Sequence, residues 1–276
     1  MDRRVHKATH RVAHVSLKGQ TNLPLTDGEG ASVIVALADL LSRPGGARER
    51  QLALGETFVV IDRDQGYAFG FAEKDGYCGW LPDSALGAAF APTHWVCSPG
   101  THLYEGPKVQ RPTLMALSLG ARVKVVDVVG DWMQTPLGFI PTRHLFPVGQ
   151  VFGDPVTQAE GFLHVPYLWG GNSRAGVDCS GLAQMAHLAC GIDFPGDSDL
   201  QESVGHALPE GADVRRGDLI FWEGHIAMVV DGTRLIHANG HTMSVAYEGI
   251  DACIARIATQ GGGPVTHRRR IAPPSR

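Results

Sequence analysis

The chain has 276 residues, enough for two or three compact units, and its 24 basic against 28 acidic residues give a formal net charge of −4. That balance gives no global field toward nucleic acid or an anionic membrane, so a soluble protein with a small ligand is expected. The opening MDRRVHKATHRVAHVSLKG lacks an apolar signal core and no later stretch reaches membrane-spanning length, which predicts a cytoplasmic address.

Residues 1–23 read as an N-terminal extension. From residue 24 to 149, short apolar runs are bounded by turn residues, and the segment falls into two similar β units, 24–88 and 89–149. The first contains LALGETFVVIDRDQGYAFGFAEKDGYCGWLPDSAL and the second LSLGARVKVVDVVGDWMQTPLGFIPTRHL. Each opens on Leu-Gly and continues with an alternating strand (58–61, then 123–126), a Gly turn and an aromatic-apolar-Pro triplet. Each then closes with Leu four residues after that Pro. A repeat of strands too short to bury a face alone predicts two small closed barrels filled by their own alternating residues.

The texture changes at about residue 150. A loop and a helical segment precede the alternating stretches DLIFW, HIAMVV, RLIHA and MSVAY, which predicts an α+β unit with an antiparallel sheet over 150–260. The last stretch, GGGPVTHRRRIAPPSR over 261–276, has almost no apolar pattern and reads as a frayed, solvated tail.

Cysteines stand at 78, 97, 179, 190 and 253, odd in number and without a C-x-x-C pair. They read as reduced thiols, with no metal or cofactor expected. Cys179 differs from the others. Leu182, Met185, Ala186 and Ala189 follow it at helical spacing and Gly191 offers a stop, so Cys179 falls at a helix start. Unpaired N–H groups and the positive dipole end there predict a thiol that ionises more easily than a free one. Asp178 and Ser180 beside it argue against a merely hydrophobic cysteine, whereas Cys190 at the far end of the segment reads as core.

A thiolate nucleophile needs a base, usually His, and a third group that orients the base. Thirteen His are available. In HIAMVVDGTRLIHANG, His225 begins one strand and His237 ends the next. A two-residue Asp231-Gly232 loop would put the two rings on opposite faces; a three-residue loop over 230–232, with Gly232 left-handed, puts them opposite one another on one face. The three-residue loop is the expected one. His237 and His241 could also form a metal pair, a weak alternative because Gly240 intervenes and no acidic ligand is near in sequence.

Taken together, PYLWGG (166–171), DCSGL (178–182), DSDLQ (197–201), RRGDLIFW (215–222), His225 and His237 resemble the NlpC-type cysteine peptidases of bacterial cell-wall metabolism. The two leading β units resemble bacterial SH3-like domains. The implied architecture is multidomain: two small SH3-like β-barrels followed by an α+β papain-like catalytic domain with an antiparallel sheet. The implied roles are Cys179 as nucleophile, His225 as general base and acid, and His237 as orienter. Tyr167 is a candidate second oxyanion donor, and Trp169 a cleft wall.

With two leading SH3-like domains, the chain further resembles recycling peptidases that cut the γ-D-glutamyl to diamino acid bond of short murein peptides with a free N-terminal L-Ala. Asp178 is the first candidate to pair with that ammonium group, since a carboxylate beside the nucleophile has no other evident role. Glu56 and Tyr77 in the first β unit, and Ser180 and Ser198 in the catalytic unit, are further candidate substrate contacts. A secreted endopeptidase on longer stems, a thiol acyltransferase or amidase, and a non-catalytic wall-binding protein remain alternatives.

Overall fold

The computed structural model describes residues 2–209 and 211–272. The chain divides into two compact units, one ending at Gln150 and the other beginning at Val151.

Within the N-terminal unit, an antiparallel seven-stranded sheet runs in the order Arg48–Ala53, Leu37–Leu41, Cys78–Pro82, Tyr67–Ala72, Thr57–Asp64, Glu29–Val33, Leu86–Ala88. The inward residues of these strands make one core: Ala31, Val33, Leu40, Leu52, Phe58, Val60 and Leu81 are each buried. The hydrogen-bonded order has two ends, so the expected closed barrel is held by its core rather than by a final ladder. The N-terminal extension docks on the outer face. There Val12 joins Ile61, Phe69, Phe71, Cys78 and Trp80, Arg11 pairs with Asp62 at 2.9 Å, and Lys7 lies over the Phe71 ring.

The second β unit departs further from one closed barrel. It has a five-stranded sheet (Thr113–Ser118, Gly100–Tyr104, Gly138–Pro141, Trp132–Thr135, Asp127–Val129) and a three-stranded one (Arg122–Val123, His94–Val96, Leu145–Pro147). The strand expected over 123–126 is broken because the chain passes there from one sheet to the other, leaving Val126 exposed. The sequence repeat is nonetheless visible at its end. In both units a strand ending in Pro82 or Pro141 runs into a short 3₁₀ turn, and the closing Leu86 or Leu145 starts a strand.

The two β units are joined through the Leu-Gly opening of the first. Ala53 and Leu54 lie in the second core, and Arg122 N–H donates to Leu54 O at 2.7 Å. A Cβ on Gly55 would stand 2.1 Å from Arg122 O, and its φ is +76°, so this approach admits glycine alone.

The C-terminal unit has an antiparallel six-stranded sheet in the order His206–Ala207, His267–Arg270, Leu219–Trp222, His225–Val229, Arg234–Asn239, Ser244–Gly249. Among the described residues four helices accompany it: α1 (Pro155–Glu160), α2 (Cys179–Leu188), α3 (Ser198–Gln201) and α4 (Ile250–Thr259). α2 is almost wholly buried and packs against α1 and the two central His-bearing strands.

The tail expected to fray is corrected in part. His267–Arg270 is a strand between two others, and Arg270 makes a double hydrogen bond to Asp218, 2.7 Å to each oxygen, with Asp218 1% exposed. A buried carboxylate fixes an arginine that composition alone assigns to solvent. Residues 273–276 of the expected tail lie outside the described residues.

Candidate active site

Cys179 is the first residue of α2, with Asp178 as its N-cap. Asp178 Oδ1 accepts from Gly181 N–H at 2.6 Å and from Ser180 Oγ at 3.1 Å, while Oδ2 accepts from Gly170 N–H at 2.7 Å. One carboxylate therefore ties the helix start to the PYLWGG loop. This gives Asp178 a local role that the sequence reading did not foresee.

The thiol is 7% exposed, and its resting state reverses the expectation of easy ionisation. Burial pushes Cys179 up to about 12, and the Asp178 charge adds to the rise; hydrogen bonds from Ile226, Ser180 and its own backbone only partly counter them. Desolvation outweighs the helix-start donors. Ile226 adjoins His225 on the His225–Val229 strand, against which α2 packs.

His225 Nε2 lies 2.9 Å from His237 Nδ1, and the two rings meet edge to face, their centroids 5.1 Å apart. They share a face, but not through the expected loop. Residues 230–233 connect the strands, Gly232 has no positive φ, and the register is Met228↔Ile236 and Val229↔Leu235, two residues beyond that of a three-residue loop. Asp231 sets the longer turn: its Oδ1 accepts from Thr233 N–H and Arg234 N–H, each at 2.9 Å. A shift of two preserves side-chain parity, which is why the shared face survives the wrong loop.

Both rings are held neutral. Burial first, then His237 and Arg256, bring His225 down to about 3, with Glu248 opposing. Burial likewise brings His237 down to about 4, again against Glu248.

Sequence reasoning missed what lies behind His237. Glu248 Oε2 is 3.2 Å from His237 Nε2, and Arg256 grips the same carboxylate through Nε at 2.8 Å and Nη2 at 2.7 Å. His237, Glu248 and Cys253 offer ligand atoms within 4.8 Å of one another. With the Arg256 guanidinium already on Glu248, the group reads as an ion-pair network. Strand parity is the signal that could have found Glu248: pairing of His237 with Ala246 puts Glu248 on the His237 side, and Arg256 lies eight residues on.

The remaining candidates separate. Tyr167 is close enough to Cys179 and Asp178 that, after burial, both push its hydroxyl up. Ser180 is buried against Asp178. Ser198 begins α3, whose Gln201 Nε2 donates to Ser180 O at 3.0 Å; it follows the N-cap Asp197 rather than capping. Trp169 is 69% exposed. Glu56 and Tyr77 belong to the N-terminal unit. There Glu56 pairs with Lys74 at 2.7 Å and accepts from Ala53 N–H at 2.9 Å, and Tyr77 is packed in the first β core.

The NlpC/P60 family model matches residues 164–256, and the model of the bacterial dipeptidyl-peptidase Sh3 domain matches residues 40–86. The chain is 30% identical to dipeptidyl-peptidase 6 of Lysinibacillus sphaericus, over 76% of this chain and 87% of that one. It is also 30% identical to the γ-D-glutamyl-L-lysine dipeptidyl-peptidase of Bacillus subtilis, over 69% of this chain and 72% of that one. In fold it is similar to the crystal structure of an NlpC/P60 family protein from Bacillus cereus, with a TM-score of 0.74 and 21% identity over 89% of this chain and 100% of that one. The chain belongs to the NlpC/P60 family and is a cysteine peptidase with a bacterial SH3 domain ahead of its catalytic domain.

Proposed function

We propose that this peptidase hydrolyses the γ-D-glutamyl to diamino acid bond of short murein peptides that carry a free N-terminal L-Ala, releasing L-Ala-γ-D-Glu. The observation that carries the reading is the 2.9 Å His225–His237 hydrogen bond between the two strands against which α2, headed by Cys179, packs. The names of the two relatives, both dipeptidyl-peptidases, support the substrate class.

In this mechanism His225 takes the Sγ proton as Sγ attacks the γ-carbonyl carbon. The oxyanion meets the backbone N–H at the helix start and the Tyr167 hydroxyl. The His225 imidazolium then protonates the leaving amine as the C–N bond breaks, leaving a thioester. Water attacks that thioester, gives its proton to His225, and the thiol is restored.

Asp178 gives the cycle a trigger. Its charge is the second cause of the raised thiol, after burial. An ammonium group bound at Asp178 neutralises that charge and favours the thiolate only when a free-amine substrate is present. Ser180 and Ser198 complete the polar side of the subsite. A cytoplasmic site of action is part of the proposal, and cell fractionation tests it.

Incubation with L-Ala-γ-D-Glu-diaminopimelate, its L-Lys counterpart and their N-acetylated forms tests the reading by product mass. Free-amine peptides give the dipeptide, and acetylation lowers kcat/KM by about 100-fold. Equal cleavage of free and acetylated peptides would instead favour an endopeptidase acting within longer stems.

A further inference from the structure

We propose that Glu248 is a positioning residue of this site: its carboxylate fixes the proton of His237 on Nε2 and so, through the hydrogen bond between the two rings, leaves His225 Nδ1 as the lone pair that meets Cys179. The inference rests on the peptidase reading above for its catalytic consequence, but not for the placement of the protons.

Glu248 is a carboxylate at neutral pH, since hydrogen bonds from Arg256 first, and from Cys253 after, hold it down to about 2. A carboxylate only accepts. His237 is 1% exposed, and its Nε2 faces Glu248 Oε2 at 3.2 Å, short of an aligned hydrogen bond. A neutral imidazole beside an acceptor places its single proton on the facing nitrogen. Nδ1 of His237 is then bare and must accept, so His225 donates through Nε2 across the 2.9 Å contact. A neutral His225 with its proton on Nε2 has its lone pair on Nδ1.

The reverse order would put a proton on His225 Nδ1 and leave no base for the thiol. Arg256 and Cys253 support the arrangement from one face of α4, three residues apart. Arg256 binds both oxygens of Glu248, and its Nη2 lies 3.7 Å from Cys253 Sγ. The relay is thus set by a carboxylate two positions along the strand from the residue opposite His237.

The test reads protons and rates separately. Nitrogen-15 spectra of the ring nitrogens in the free wild-type enzyme at pH 7 are expected to show both His225 and His237 protonated on Nε2. Glu248→Gln, whose amide can donate as well as accept, is expected to erode that preference at His237, to lower kcat about tenfold or more with KM within about twofold, and to slow alkylation of Cys179. Glu248→Asp, which keeps the carboxylate, is expected to recover part of kcat. A wild-type His237 protonated on Nδ1 would overturn the proposal whatever the variants do. So would a Glu248→Gln enzyme that melts earlier yet keeps the wild-type ring protons and kcat, since that is a structural ion pair only. If the wild type cleaves none of the murein peptides, the substrate reading fails, while the ring spectra and the alkylation rate still decide the place of the protons.

Discussion

The two halves of the candidate site are built on opposite principles. The helix half, Asp178 and Cys179 at the start of α2, is rich in backbone donors, yet its thiol is held up to about 12 because burial and a neighbouring carboxylate outweigh them. The sheet half, His225, His237 and Glu248, is a line of side chains in which a carboxylate is held down to about 2 by Arg256. Both halves contain an acid next to the reactive group. The Asp178 charge raises the thiol; in the proposals above a cationic substrate group relieves that charge and Glu248 orders the neutral rings.

The largest effect expected is one that removes either half. Cys179→Ala, His225→Ala and the double variant should each lose about 10³-fold or more in kcat, and by about the same factor, because nucleophile and base act as one unit. Losses that multiply in the double variant would separate the halves and break the account. His237→Ala should cost less, about 10- to 100-fold, since the base remains but its ring is no longer oriented.

A sharper contrast comes from Asp178→Asn. The amide oxygen keeps the Gly181 cap, the acceptor for Gly170 is lost, and the charge is gone. Cleavage of free-amine peptide should fall about 100-fold, while iodoacetamide should alkylate the resting Cys179 about threefold faster or more, because one cause of the raised thiol is removed. Two rates moving in opposite directions identify a gate; two rates falling together would make Asp178 a cap alone.

A separate effect is on stability in acid. His187 on α2 is brought down to about 4 by burial, as His237 is, and His225 to about 3, all from an ordinary 6.5. The unfolded chain therefore binds protons that the folded chain refuses, and stability is full above about pH 6.5 and falls as pH drops toward 4. At pH 5 each of the three should cost about 2 kcal/mol. Chemical denaturation of wild type and His237→Gln between pH 7 and 5 should show a shallower slope in the variant; parallel slopes would place the acid sensitivity elsewhere.

Much of this site was legible in the residues, and the misses share a cause. Apolar spacing after Cys179 gave the helix start because period is a local property. Strand parity gave the shared face of His225 and His237 even though Asp231 lengthened the turn by two. What needed the third dimension was misread. The thiol's resting state depends on burial, the arginine-rich end is a strand because Asp218 lies buried beside Arg270, and Glu248 acts through a neighbouring strand and a helix. The break of the strand expected over 123–126 has the same cause: the passage from one sheet to the other near Val126 leaves no mark in an alternating run of valines.

The most direct test of the central claim is to catch the thioester. The enzyme is mixed with L-Ala-γ-D-Glu-diaminopimelate, quenched in acid within its first turnover and digested, and the peptide containing Cys179 is weighed. Cys179, and none of Cys78, Cys97, Cys190 or Cys253, is expected to carry the added mass of an L-Ala-γ-D-Glu acyl group, and the N-acetylated peptide is expected to yield little of it. Cleavage that proceeds at full rate with no acyl group on Cys179, or with the same product in Cys179→Ala, would contradict it.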